Sequence, residues 1–461
     1  MLLRTILFFV ALIAAAVGVD RLARQPGELV LNWYGWQIET TAAVFVVALG
    51  LVVLLVFLAT KTYVWLDLLP KRLSERLRHQ RQEKGLTALS DSMSALSVGD
   101  HSKALKAAKN AKKALPHLPL ADAMLAQASA SAESGSNAVT YYNKLLDNSH
   151  TNLAGLKGLL QISIRENESE RALTYAEELH QKTPKNLWVL EVLTELYARQ
   201  SRYEEAARAA ITWQKQLSKK DPALKKARFL EACNTLEAVK ENIRLASPGR
   251  EAEMRNKGLQ QLHDLLRQTP DFAPAALFVA ELESKKSEST GKAALKNARK
   301  VLRQTYQKAP AHQLADQWLK LMKDEKDDTL VKQAGRFIGP WDDHVLGLTV
   351  KARAQIKARQ WSEAHKTLSR ALLKGEDRTL FETFAQLEQN QHPNGGGAVR
   401  WLERALSAPD RQQGRDGHLE NYKNWRKSLV RSMAGGKPPQ PDAPYVFDHT
   451  PQLQDMSNRR A

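Results

Sequence analysis

The sequence predicts an all-α protein with two N-terminal transmembrane helices followed by an α-solenoid of the tetratricopeptide type. Three observations carry that reading. Nearly every long uncharged stretch falls before residue 66, so the mean hydropathy of −0.44 hides a membrane head on a polar body. Alanines recur through much of that body at a constant stride of about 34 residues, the period of a helix-turn-helix repeat. Gly and Pro, 23 and 18 of 461 residues, are too scarce for a collagen-like or wholly disordered chain, and a single Cys excludes intrachain disulfides and multi-cysteine metal sites.

Residues 1–66 read as the membrane anchor, with spans at about 2–19 and 42–63. From Ile6 to Val19 every residue is apolar or Gly, and with Leu2 and Leu3 the stretch makes a helix of about 27 Å. A cleaved signal peptide is the rival reading of this run, but no clear small-residue cleavage boundary precedes Asp20. The second run is the stronger span: Ala42 to Ala59 is uncharged, and Lys61, Tyr63 and Trp65 follow at its edge. Gly27 to Thr41, within the loop 20–41, is rich in β-branched and aromatic residues around Gly35, which predicts a short hairpin. Trp33, Tyr34 and Trp36 suit an interfacial belt. From Lys61 to Lys84 seven basic residues face only Asp67, Glu75 and Glu83. That excess places the body and the N-terminus in the cytoplasm and the loop outside, a multi-pass arrangement. Residues 67–84 read as a basic juxtamembrane helix.

The body divides into an N-terminal repeat block at 85–220, divergent helical repeats at 221–344, a C-terminal block at 345–433 and a disordered tail at 434–461. Ala104, Ala138, Ala172 and Ala206 follow one another at the repeat stride, and so do Ala364 and Ala398. Pro116 and Pro184 lie twelve residues past Ala104 and Ala172, where a proline breaks the second helix of a repeat. Four and seven residues past each alanine the chain offers apolar side chains, among them Tyr142 and Leu145, Ala210 and Trp213, Leu402 and Ala405. In the first helices, Leu86, Leu89, Met93 and Leu96 form one stripe and Leu190, Leu193 and Tyr197 another, with Gly99-Asp100 as a turn. Between Lys219 and Glu253 the slipped phase predicts an insertion or irregular helix pair, and Ser284 to Gly291 reads as an exposed turn. The run Gly-Gly-Lys-Pro-Pro after Ala434 opens the tail.

No constellation for catalysis, cofactor binding or metal binding is present: HExxH, GxSxG, Walker A and metal-spaced His or Cys groups are all missing. His79, His101, His117 and His150 fall at turns or on polar faces, and Cys233 reads as a small buried thiol. The net charge of +18 is dispersed over amphipathic helices, which argues against nucleic-acid binding. Helix pairs stacked in sequence leave a wall of first helices, the natural partner surface. Lys157, Gln161 and Arg165 in one repeat, and Trp188, Glu191, Glu195 and Arg199 in the next, are its candidate residues.

The segments Arg24-Gln25-Pro26-Gly27, Val30, Trp33, Gly35-Trp36, Ile38-Glu39-Thr40 and Pro70-Lys71-Arg72-Leu73, with Gly85-Leu86, Ala95-Leu96, Gly99-Asp100 and Ala104, resemble the HemY family of proteobacterial inner-membrane tetratricopeptide proteins. The resemblance covers about the first 110 residues. It implies the bacterial inner membrane, with the loop in the periplasm, and a non-enzymatic scaffold without a cofactor, whose partners are enzymes of late haem (protoporphyrin) biosynthesis or other membrane-associated proteins; it leaves the oligomeric state open. A haem or porphyrin carrier and an adaptor in envelope assembly are the alternatives. The unrelated flavin-dependent oxidase of the same name is not implied, because no strand leads into Gly-x-Gly-x-x-Gly.

Overall fold

Small side chains at fixed intervals set where helices meet, and the computed structural model shows the result for residues 17–18, 20–21, 28–33, 36–132, 135–290, 292–393, 395–408 and 417–433. The expected first span, apart from residues 17–18, and the expected tail at 434–461 lie outside the described residues. The chain divides into two compact units between Ala132 and Glu133.

In the first unit the expected hairpin forms from β1 (Glu28–Trp33) and β2 (Trp36–Thr41), antiparallel with Trp33 opposite Trp36. β2 runs into α1 (Ala42–Val98), a single helix of 57 residues. Within it Val44–Thr62 has a mean hydropathy of 2.7 and exposed side chains, and it is the one helix among the described residues long and apolar enough to cross a membrane. The expected juxtamembrane helix and the first repeat helix are therefore continuous with the span. Gly85, read as a boundary, is a packing residue instead: a Cβ there would sit 2.4 Å from Leu115 Cγ. Helix α2 (His101–Ala114), capped by the Asp100 carboxylate, packs on α1, and α3 (Pro119–Ser131) completes the unit. The buried stripe of α1 is Gly85, Leu89, Ser92 and Ala95, whereas Leu86 and Met93, expected to face inward, are exposed. Small residues win those positions because they let α2 approach closely enough for Ser92 Oγ to donate to the Ala104 carbonyl at 3.0 Å.

The second unit stacks helices in pairs: α4 (Gly135–Leu146), α5 (Asn152–Arg165) with α6 (Ser169–Lys182), α7 (Leu187–Arg199) with α8 (Tyr203–Gln216), and α9 (Ala223–Arg244) with α10 (Glu251–Gln268). Next come α11 (Ala273–Thr290) with α12 (Lys292–Lys308), α13 (His312–Leu321) and α14 (Asp327–Ile338). Then α15 (Val345–Lys357) pairs with α16 (Trp361–Lys374), and α17 (Arg378–Gln391) with α18 (Gly397–Ser407); α19 (Gly417–Met433) is the last helix described.

The turn inside a repeat is stereotyped across both units. Gly99, Asn167, Ser201 and Arg359 have φ of +84°, +61°, +59° and +54°, each five residues before an anchor alanine, Ala104, Ala172, Ala206 or Ala364. The amide that follows reaches back five residues, from Asp100 to Ala95, Glu168 to Ser163, Arg202 to Tyr197 and Gln360 to Gln355, at 2.8 to 2.9 Å. This is the Schellman closure of a helix C-terminus. All four anchors are fully buried.

Two inward positions depart from expectation. Leu402 is 48% exposed, because Trp401 takes the inward place by stacking on Phe384 with ring centroids 4.3 Å apart. Helix α11 continues through the expected turn at Ser284.

The slipped phase has a plain cause. Of the two expectations for Lys219 to Glu253, the irregular helix pair is what forms: α9 has 22 residues where α7 has 13, and α10, α11 and α12 have 18, 18 and 17. Gly258 replaces the anchor alanine, tucked where a Cβ would meet Val239 Cγ1 at 2.6 Å, with Leu262 and Leu265 buried beyond it. Ala298 anchors the following pair above buried Leu302 and Thr305.

Candidate partner-binding site

First helices of successive pairs carry polar side chains that meet across the repeat boundary. Lys157 on α5 places its ammonium 5.4 Å from the Trp188 ring centroid on α7, a cation–π contact. On α7, Glu191 and Glu195 receive Lys226 of α9 at 2.5 and 3.8 Å. Burial raises the Glu195 carboxyl above the usual range; Glu191 adds to this, and Lys226 and Arg199 oppose it. Of the seven residues read from the sequence, the structure thus brings Lys157 to Trp188, and Glu191 and Glu195 to a shared lysine with Arg199 within electrostatic reach. Gln161 and Arg165 are exposed on α5, and the charge of Arg165 is felt at Tyr142 on α4. These side chains form a row from α5 through α7 to α9, alternating in sign.

The row continues into a part that the sequence reading missed. Phe229, Glu237 and Lys240 on α9, with Asp271 and Phe272 in the turn that leads into α11, receive α19. The Tyr422 hydroxyl donates to the buried Glu237 carboxylate, and the Lys240 ammonium donates to the Tyr422 oxygen. Arg426 Nε lies 3.6 Å from Glu237. His418 Nε2 is 3.1 Å from Asp271 Oδ2, and the His418 ring stacks on Phe229 at 6.2 Å. Tyr422 meets Phe272 edge to face at 6.2 Å. The hydrogen bond from His418 holds the Asp271 carboxyl below its ordinary range, and burial, then Glu237, push the Tyr422 phenol up. A signal was present: Leu419, Tyr422, Trp425 and Leu429, spaced three, three and four, mark an amphipathic helix.

Histidines His79, His101, His117 and His150 are exposed, and Cys233 is buried with its thiol pushed well up by burial and by Glu237. Among the described residues no group of three or more His, Cys, Asp and Glu is placed to hold a metal ion.

Anchor alanines at an even stride, left-handed turns in phase with them, and a polar row along the first helices together define a helical-repeat protein of the tetratricopeptide type. Residues 27–135 match the family model described as the HemY protein N-terminus. A search of curated proteins returns no match. Among solved structures, the chain is similar to a tetratricopeptide repeat protein from Parabacteroides merdae at 13% identity and a TM-score of 0.31, over 76% of this chain and 99% of that one. It is also similar to Naa15/Naa10 bound to HypK at 12% identity and a TM-score of 0.30, over 81% and 70% of the two chains. Yeast Tom70 is a further match, at 11% identity and a TM-score of 0.23, over 68% and 72%.

Proposed function

We propose that this chain is a membrane-anchored scaffold that gathers enzymes of late haem biosynthesis at the cytoplasmic face of the inner membrane. The observation that carries the reading is the match of residues 27–135 to the HemY N-terminus, joined to a helix that runs unbroken from a membrane-length segment into the first repeat. In this reading the chain crosses the membrane twice with a periplasmic loop, and the charge bias flanking Val44–Thr62 supports a cytoplasmic body. The polar row from Lys157 to Lys226 supplies a surface whose alternating charges favour protein partners over nucleic acid. The chain itself performs no catalysis in this reading. Its contribution is effective concentration: enzymes held side by side on one anchor pass a poorly soluble porphyrin without bulk diffusion.

A photoreactive residue at exposed position Gln161, activated in intact membranes, is expected to capture enzymes that act on porphyrins. Replacing Lys157, Arg165 and Arg199 together by Glu is expected to lower that capture about tenfold or more, equivalent to about 1.4 kcal/mol, with far-UV circular dichroism unchanged. If the captured proteins include no porphyrin enzyme, the haem assignment fails. If charge reversal leaves capture unchanged, the row is not the surface. A haem titration adds a control: a saturable Soret shift in the purified chain supports the carrier alternative instead.

A further inference from the structure

Helix α19 does not behave as the end of the repeat array. An end cap covers the last pair, yet on α18 Val399, Leu402 and Leu406 are 57%, 48% and 77% exposed. The apolar stripe of α19 goes elsewhere. Leu419, Tyr422, Trp425 and Leu429 are buried in the cluster that holds Phe229, Phe272 and Leu190, and α19 packs on α7, α9 and α11. These three are all first helices, so α19 lies on the wall and crosses it from the inside.

The contacts have the composition of a helix-in-groove complex. Two aromatic knobs enter an apolar bed, with Trp425 only 3% exposed, and a ring of charged pairs surrounds them. Charge is complementary: α19 carries Lys423, Arg426, Lys427 and Arg431 against Glu420 alone, and it meets Glu237 and Asp271 in a chain whose net charge is +18. Nine residues, 408–416, separate Ser407 from Gly417.

We infer that the α7–α9–α11 wall is a receptor for an amphipathic helix bearing two aromatic residues three apart and a following cation, and that α19 is the chain's own copy of that ligand, displaced when a partner supplies the same pattern. This deepens the proposed scaffold role by giving its wall a ligand class, and it rests on that reading only for the partner's identity. Because α19 belongs to the same chain as the wall, it competes for the wall as an intramolecular ligand, so a partner helix has to bind with clear advantage or be presented at a membrane-raised concentration. The wall is thereby kept covered between encounters, and its Phe229 and Phe272 rings are hidden from nonspecific apolar contacts.

The test uses the full chain in detergent micelles and a fluorescent peptide of residues 417–433. Replacing Tyr422 and Trp425 by Ala in the full chain removes the tethered knobs and vacates the wall. The peptide is expected to bind this variant about tenfold or more tightly than it binds the native chain, which competes through its tether. Adding Glu237→Ala to the vacated variant is expected to remove most of that binding, and a peptide lacking both aromatic residues is expected not to bind. Equal peptide affinity for native and vacated chains overturns the inference. So does loss of cooperative unfolding in the vacated variant, since α19 is then an ordinary core helix. A peptide that binds as expected, with no porphyrin enzyme captured in membranes, leaves the receptor standing and removes the haem assignment alone.

Discussion

The in-phase repeats at α5 to α8 and α15 to α18 and the stretched middle at α9 to α12 obey different rules. In-phase pairs are fixed by a small anchor and a left-handed turn at constant stride, and their first helices have 13 or 14 residues. Helix α9 has 22. A helix as long as α5 begun at Ala223 would end at Leu236, so Glu237 and Lys240 stand on the added two turns. Those are the groups that hold Tyr422. The difference teaches that the departure from the repeat is where the specific surface is built. A regular pair needs only to stack, whereas an irregular one is free to carry buried charge for recognition.

The largest expected effect tests how far phase alone dictates burial. Trp213 and Leu402 stand seven and four residues past their anchors, both inward by the repeat pattern. Trp213 is buried and Leu402 is not. Trp213→Ala is expected to cost about 3–5 kcal/mol, read as a lower urea midpoint by circular dichroism. Leu402→Ala is expected to change stability by about 0.5 kcal/mol or less. Similar losses at the two sites would mean that the stride, not the observed packing, sets the core of the in-phase repeats.

Much of the fold is legible in the amino-acid sequence alone. The hairpin at 28–41, the anchor alanines and the buried Cys233 follow from spacing and composition, because each depends on local pattern and side-chain size. The middle escapes a phasing that follows alanine. Pro270 and Pro310 stand twelve residues past Gly258 and Ala298, the same offset as Pro116 from Ala104. With glycine admitted as an anchor, the anchor-to-proline offset is kept through the middle, while the longer helices hold its anchors off the in-phase stride. The row on α5, α7 and α9 is half legible: helix geometry gives the faces of Lys157 and Trp188, but Lys226 comes from a helix that breaks the stride. The docking of α19 depends on tertiary contacts between residues far apart in the chain, such as His418 and Asp271, and no local periodicity encodes a partner that distant. Leu86 and Met93 show the opposite failure, where apolar character suggested burial and close helix approach selected Gly85 and Ser92 instead.

A smaller effect sharpens the contrast at the turns. In-phase turns place Asn167, Ser201 and Arg359 at positive φ, a conformation that costs a residue with a Cβ roughly 1–2 kcal/mol. The connection after α9 uses Gly249 at φ +100°, where no such cost arises. Ser201→Gly and Arg359→Gly are expected to stabilise by about 0.5–1 kcal/mol each, once the greater freedom of glycine in the unfolded chain is subtracted. Asn167→Gly should gain less, since asparagine tolerates this region better. Gly249→Ala should lose stability. Differential scanning calorimetry of the four variants reads the order directly, and a gain at Gly249 would show that the middle connection is not held in its left-handed state.

The smallest effect is a dependence on acid that belongs to the middle alone. His418 lowers the Asp271 carboxyl below its unfolded value, so the folded state favours the ionised form. Its contribution is fully present above the ordinary carboxylate range, near pH 4, and is lost as pH falls through the depressed value. The Asp271 side chain is partly open to solvent, so screening holds the contribution to well under about 1 kcal/mol. Amide exchange of α19, corrected for intrinsic rates and compared between the native chain and Asp271→Asn, is expected to show slightly weaker protection in the variant at pH 7 and a difference that vanishes in acid. The in-phase turns, closed by backbone amides and carbonyls that do not titrate, should show no such difference. A constant gap between the two proteins down to pH 2 would mean that Asp271 shapes the site sterically, and the charge ring around α19 would then begin at Glu237.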